Sequence, residues 1–373
     1  MRGDMGREIQ SGKNTRTVTL TVTEKCNLAC TYCYEHHKSA ADMTFETAKR
    51  IIDGELRERT PKENTYIEFF GGEPFMNFGL IKQVCDYVRS FYKGKLRFHA
   101  CTNGTLVHGE VQEWILANKR DFSVALSADG TKAAHDINRS NSFDDIDFRF
   151  FVENFPEQPV KMTVSKETLP MLAEGVIYLT ELGFEISCNL AYGIDWKDGD
   201  NVRVLEEQLD KLIDWYLAHP EAKRCRMLDY MIEVLARPSA DGRHTKYCGT
   251  GTAMVCYGTD GKAYPCQFFS PLSAGDKALT TDELALGEEY DMSRLPEKCA
   301  KCYCLRICPR CFGSNYLATG DIYTSDDDLC ELNKTMFRAT AKLKALEWER
   351  GMLSLGEEDE QALIRSVLEL QKI

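Results

Sequence analysis

Along the first two-thirds of the chain, short apolar runs alternate with longer segments in which apolar residues recur every three or four positions. The runs read as strands over 16–23, 66–70, 96–102, 122–127, 160–165 and 184–190. The segments between and after them read as helices over 44–59, 78–92, 109–118, 143–154, 169–182 and 202–217. In the first helix Phe45, Ala48, Ile51, Ile52 and Leu56 fall on one side, and Thr44 is placed to cap its start. This repetition predicts an α/β fold, a partial (β/α)6 TIM barrel whose ligands sit at the C-terminal ends of the strands. Beyond it the pattern gives a hairpin, 253–258 with 262–266 around Thr-Asp-Gly, and C-terminal helices over 329–348 and 357–371. In the first of these Leu332, Met336, Ala339, Leu343 and Leu346 mark a core-facing or barrel-capping helix.

Polar and glycine-rich groups follow the first four strands. Cys26, Cys30 and Cys33 come after the first, Gly71-Gly72-Glu73-Pro74 after the second, Thr102-Asn103-Gly104-Thr105 after the third and Ser127-Ala128-Asp129-Gly130 after the fourth. Each tetrapeptide alone is a turn. Three on one rim beside three cysteines predict a binding site. His135-Asp136-x2-Arg139 follows on the same rim, and His244 and Tyr247 precede the hairpin.

The chain of 373 residues carries a formal net charge of −12, which argues against broad nucleic-acid binding. It has no membrane-length apolar run, and its first residues lack the apolar centre of a secretory signal. We therefore expect a cytoplasmic protein with neither nucleic-acid nor membrane partners. In that reducing compartment 16 cysteines point to metal or redox chemistry rather than disulfides. Nine of them crowd between Cys248 and Cys330, whereas Cys85, Cys101, Cys188 and Cys225 stand singly and read as small buried hydrophobes. Three thiolates suit an iron–sulfur cube with one iron left open to a small molecule; by spacing alone, zinc on Cys30, Cys33 and His36 or His37 is the alternative.

Cys26-x3-Cys30-x-Tyr32-Cys33 after a first strand resembles the radical S-adenosylmethionine (SAM) superfamily. The resemblance implies that SAM chelates the open iron and is cleaved reductively to methionine and a 5′-deoxyadenosyl radical, which abstracts hydrogen from a C–H bond. It further implies that Tyr32 lies near adenine, that Gly71, Gly72 and Glu73 receive the methionine amino group, and that Asn103 and Ser127 contact ribose or carboxylate.

Cys248-x12-Gly261-x4-Cys266 resembles the opening of a SPASM domain, and Cys299-x2-Cys302-x5-Cys308 with Cys311 and Cys330 resembles its remainder. That implies two auxiliary 4Fe-4S clusters, three in all: one on Cys299, Cys302, Cys308 and Cys330, the other on Cys248, Cys266 and Cys311 with Cys256 as fourth ligand. Cys304 is then surplus. Cys308 and Cys311 are separated by two residues where the family usually has three. Taken alone, 299–311 also fits a zinc ribbon. The implied organisation is an extension over 1–15, a barrel over 16–235, a SPASM domain over 236–335 and a helical segment over 336–373.

SPASM proteins modify peptides and proteins, so the resemblance implies a maturase that installs a crosslink, ring or epimer in a ribosomally made precursor peptide. The alternatives are formylglycine formation in a sulfatase and action on a small molecule. Against the former, Gln267 stands where sulfatase maturases carry a catalytic Asp, and an amide takes no proton at neutral pH. No general base is identified. An electron donor such as flavodoxin or ferredoxin is implied. With about 15 residues before the first strand, leader recognition is expected to come from a separate peptide-recognition protein or from the enzyme's own surfaces.

Overall fold

The computed structural model describes residues 15–58, 64–197, 200–237, 248–325 and 327–373. Residues 1–14 of the expected 1–15 extension, His244 and Tyr247 lie outside the described residues. The strands are β1 (Thr15–Thr23), β2 (Asn64–Gly71), β3 (Leu96–Thr102), β4 (Phe122–Leu126), β5 (Val160–Val164), β6 (Ile186–Leu190), β7 (Met254–Tyr257) and β8 (Ala263–Tyr264). The helices longer than one turn are α1 (Phe45–Asp53), α2 (Phe78–Phe91), α3 (Glu110–Ala117), α4 (Lys132–Asn138), α5 (Phe148–Asn154), α6 (Leu172–Glu181), α7 (Asn201–Ala218), α8 (Phe312–Thr319), α9 (Asp327–Glu349) and α10 (Glu357–Leu370). No described helix is long and apolar enough to cross a membrane.

The chain divides into two compact units. The first comprises the described residues of Met1–Ala128, Asn138–Lys161 and Tyr247–Glu288. Its sheet has the order β4-β3-β2-β1-β7-β8. β1 to β4 run parallel in sequence order, as the repeating pattern predicts. β2 shows why: Ile67 and Phe69 alternate with Tyr66, Glu68 and Phe70, so one face is fully buried and the other only half. On the buried face Phe69 lies 6.0 Å from both Phe98 and Phe122, and Trp114 of α3 packs edge-on against Phe122 at 5.0 Å.

β7 is the unforeseen element. The strand read as half of a separate hairpin pairs parallel with β1, Thr17 opposite Met254 through Leu20 opposite Tyr257, and pairs antiparallel with β8. Arg16 secures this seam. Its guanidinium forks onto Glu55 at 2.7 and 2.9 Å and also donates to Thr252 O at 2.6 Å. Tyr257 donates to the same Glu55 at 2.7 Å. Glu55 is delivered by a π turn, Gly54–Glu58, that ends α1 earlier than its sequence periodicity suggests. α4 is a second departure: the turn signals around 127–130 hid a short helix.

The second unit comprises the described residues of Asp129–Ile137, Met162–Lys246 and Glu289–Ile373. α7 and α10 flank α9, and a core of Ile232, Cys304, Ile307, Phe337, Ala341, Leu363 and Leu370 forms beside them.

Candidate active site

The loop after β1 is held in place by its neighbours on the same rim. Glu73 N donates to Lys25 O at 2.8 Å and Gly72 N to Thr23 O at 3.2 Å. Asn103 Nδ2 donates to Asn27 Oδ1 at 2.9 Å, Asn27 Nδ2 to Thr105 Oγ1 at 2.7 Å, and Ala29 N to Ser140 Oγ at 2.9 Å. Thr31 N donates to Asn138 O at 2.9 Å. The turns predicted after strands two and three thus brace the Cys26–Cys33 loop directly. Ser140 and Asn141 supply a left-handed turn beside it, with φ of 57° and 56°.

Two glycines set the approach distance. A Cβ on Gly71 would stand 2.0 Å from Thr23 O, and Gly71 has φ of 146°. A Cβ on Gly72 would stand 2.4 Å from Lys25 O and 2.8 Å from Cys26 Cβ. Side chains are excluded at both positions so that β2 can lie against the cysteine loop.

Glu73 points inward rather than into the open. It is 1% exposed. Oε1 accepts from Thr102 Oγ1 at 2.7 Å and Phe75 N at 3.2 Å, and Oε2 accepts from Asn103 N at 2.8 Å. Burial pushes its carboxyl up to about 7 against these donors. As placed, Glu73 ties the β2 and β3 turns together. Tyr32 is buried with the Arg139 guanidinium 5.4 Å from its ring centre. Asn103 Oδ1 accepts from Thr105 N at 3.0 Å, and Ser127 Oγ lies 3.4 Å from Cys101 Sγ.

The thiols of the loop are half-buried. Burial raises Cys26, while Leu28 N–H and the Lys38 ammonium favour its thiolate. Burial alone would lower Lys38, but the Cys33 and Cys26 thiols beside it carry it upward instead. Cys26 and Cys33 with the Lys38 ammonium beside them fit an anionic iron–sulfur group. Among the described residues no group of three or more His, Cys, Asp or Glu side chains is gathered closely enough to hold a single metal ion. The His37 ring lies against Gly275, where a Cβ would stand 2.7 Å from it.

Several residues here escaped sequence reasoning. Tyr34 stacks on Phe268 at 4.4 Å, joining the loop to the segment that carries Cys266. Glu35 is buried with Oε1 unpartnered, and burial raises its carboxyl to about 8. On the half-buried sheet face, Cys256, Thr19, Glu68, His99 and Ser123 align across five strands. Thr19 donates to Glu68 at 2.8 Å, and His99 Nδ1 lies 3.0 Å from Ser123 Oγ. The alternation of Glu68 and His99 with apolar residues was the available signal.

The second cysteine field divides between the units. In the first, Cys248 is half-buried with Sγ 2.8 Å from Thr250 Oγ1, and Cys266 is buried at the end of the hairpin. Cys256, expected as a ligand, is fully buried on β7 with its thiol 3.6 Å from Thr21 Oγ1, and burial pushes it up to about 12. In the second unit Cys299, Cys302, Cys308 and Cys330 feel one another's charge. A hydrogen bond from Cys304 brings Cys302 down to about 6, and Cys304 itself lies in the apolar core. Cys311 caps α8, its sulfur accepting from Ser314 N at 3.5 Å.

Comparison with known proteins fits this arrangement. Residues 20–148 match the Radical SAM superfamily domain. An uncharacterised protein of Methanocaldococcus jannaschii is 34% identical over 173 residues, 44% of this chain and 58% of that one. The radical SAM cyclopropyl synthase TigE of Paramaledivibacter caminithermalis is 22% identical over 88% of this chain and 75% of its own length. A cysteine-type anaerobic sulfatase-maturating enzyme of Clostridium perfringens is 25% identical over 76% of this chain and 84% of its own. Among solved structures, anSMEcpe with bound AdoMet and the Cp18Cys peptide superposes with a TM-score of 0.69 at 21% identity, covering 89% of this chain and 99% of that one. A Radical SAM superfamily domain thus spans residues 20–148, the stretch that contains the cysteine loop and the glycine turn that braces it.

Proposed function

We propose that the chain is a SPASM-type radical SAM maturase of a ribosomally synthesised peptide. The observation that carries the reading is the contact between the Gly71-Gly72 turn and the Cys26 loop, which leaves room for backbone but for no side chain. Cys26, Cys30 and Cys33 hold a 4Fe-4S cluster, Lys38 offsets its charge, and the backbone of Gly71 and Gly72, with Tyr32, Asn103 and Ser127 around it, receives SAM. When bound, cluster and SAM supply a one-electron reductant and a hydrogen-abstracting radical. Glu73 fixes the two turns that shape this seat. The electron comes from a flavodoxin or ferredoxin.

Cys299, Cys302, Cys308 and Cys330 hold one auxiliary cluster in the second unit. Cys248 and Cys266, both in the first unit, are ligands of the second auxiliary cluster. Cys256 stays a protonated thiol of β7. Likeness to a cyclopropyl synthase and to a peptide-bound structure supports a peptide substrate. Formylglycine formation is the second reading, favoured by the sulfatase-maturating relative but opposed by Gln267, which offers no base beside Cys266.

Anaerobic reconstitution followed by SAM and dithionite tests this directly. We expect three clusters' worth of iron and sulfide and release of 5′-deoxyadenosine, lost on replacing any of Cys26, Cys30 or Cys33 with Ala. SAM cleavage that survives those replacements sinks the assignment. Mass spectrometry of candidate peptides, with a hydrazide reagent to tag aldehydes, then separates a ring or crosslink lighter by two hydrogens from formylglycine, which alone takes the tag.

A further inference from the structure

The second unit holds a group of buried polar atoms that the fold itself does not satisfy. Arg310 sits between Cys308 and Cys311 with φ of 23°, on the edge of the left-handed region. Its guanidinium lies 4.3 Å from the centre of the Tyr290 ring, and its Nε and Nη1 are buried without a hydrogen-bond partner. The Tyr290 hydroxyl is likewise buried and unpartnered. A buried guanidinium N–H left unmade is costly, and three such donors in one place imply an acceptor that the polypeptide does not provide.

The surroundings identify that acceptor. Arg310 is felt electrostatically by Cys299, Cys302 and Cys308, and Tyr290 by Cys299 and Cys308. The other cations near these thiols are engaged: Lys334 pairs with Glu331 at 2.9 Å and Lys298 pairs with Asp327. Neutral thiols accept hydrogen bonds poorly; thiolate and sulfide of an anionic cluster accept them well.

We propose that Arg310 and Tyr290 are tuning residues that donate hydrogen bonds to the sulfurs of the cluster on Cys299, Cys302, Cys308 and Cys330 and thereby raise its reduction potential. This rests on the cluster assignment above. Reduction adds one negative charge to the cluster. A guanidinium donating to its sulfur stabilises that charge more than the oxidised state, so the potential rises. The aromatic box of Tyr290, Phe312 and Tyr323 holds the pair: Phe312 stacks on Tyr290 at 5.1 Å and Tyr323 meets it edge-on at 4.9 Å. The device sets how readily this cluster takes or gives an electron, a property separate from SAM cleavage.

The test is redox titration followed by electron paramagnetic resonance of the full chain carrying Cys26, Cys30 and Cys33→Ala, so that only auxiliary signals remain. Arg310→Met is expected to weaken reduction of one cluster by about tenfold, about 59 mV for one electron. Tyr290→Phe keeps the ring and removes a neutral donor, and is expected to weaken it by about threefold. Intact iron with both midpoints unmoved overturns the proposal. Should Arg310→Met lose the cluster, Tyr290→Phe decides alone: a lowered midpoint supports the assignment and an unmoved one overturns it. Cys299→Ala distinguishes the two levels of the argument. If it keeps full iron content and every signal, the cluster reading itself fails and the tuning role falls with it.

Discussion

Replacing Gly72 with Ala asks how much the cysteine loop depends on its neighbour. The added methyl would lie 2.4 Å from Lys25 O, 2.7 Å from Lys25 C and 2.8 Å from Cys26 Cβ. Carbon contacts settle at about 3.5–4.0 Å, so either the loop or the turn must retreat by about 1 Å. The obstacle is backbone on both sides, pinned by the Glu73 N to Lys25 O bond, so no flexible side chain can absorb it. Overpacking of this kind costs about 1–3 kcal/mol of stability. The same displacement carries Cys26 away from Cys30 and Cys33, and a 1 Å misplacement at a reacting centre is worth about a hundredfold in rate. Gly79→Ala is the matched control. Gly79 lies in α2, and a methyl there would meet nothing within 4 Å, so alanine should gain about 0.5–1 kcal/mol. Anaerobic urea unfolding reads the first quantity and 5′-deoxyadenosine formation the second. Gly72→Ala protein matching wild type in both would refute the steric argument.

Further outcomes follow from the same geometry. Cys256→Ala should leave iron content unchanged while Cys248→Ala and Cys266→Ala lower it; iron loss from Cys256→Ala would restore it as a ligand. Glu55→Ala strands the buried Arg16 and should cost about 3–5 kcal/mol in denaturant unfolding, with Tyr257→Phe milder. His99 is held near pH 4 by burial, with Lys161 adding to the shift. Its folded value is below its unfolded one, so the unfolded chain binds the extra proton between about pH 6.5 and 4 and stability falls as pH drops through that window, by up to about 3 kcal/mol. His99→Gln should flatten that acid limb, and an unchanged slope would assign it to other groups.

The first four strands were legible because each must hide one face, and period-two burial writes itself into residues such as Ile67 and Phe69. The cysteine loop was legible because its residue types have few other uses at that spacing. What could not be read was which strand lies on the other side of β1. β7 shares the apolar signature of any short strand, and nothing in 254–257 names β1 as its neighbour. The same holds for Cys256: its spacing from Cys248 is visible, but the strand that turns its thiol toward Thr21 is not. Glu73 illustrates a finer limit. Its presence in the turn is plain from sequence, whereas its orientation depends on Thr102 and Asn103, donors from another strand. Arg310 and Tyr290 carried no motif at all, and only the lack of partners for their buried atoms draws notice.

The seam between β1 and β7 also governs how the molecule is made. Arg16 and Thr252 are joined across 236 residues of chain. A nascent polypeptide that has already produced β1 to β4 still presents one side of β1 as an unsealed row of amides and carbonyls until the ribosome reaches β7. Closure over such a distance is slow, and an open edge recruits other chains in the interval. Expression of fragments ending before β7 should therefore yield aggregate rather than a smaller soluble barrel, and cofactor loading in the cell has to await synthesis of most of the polypeptide.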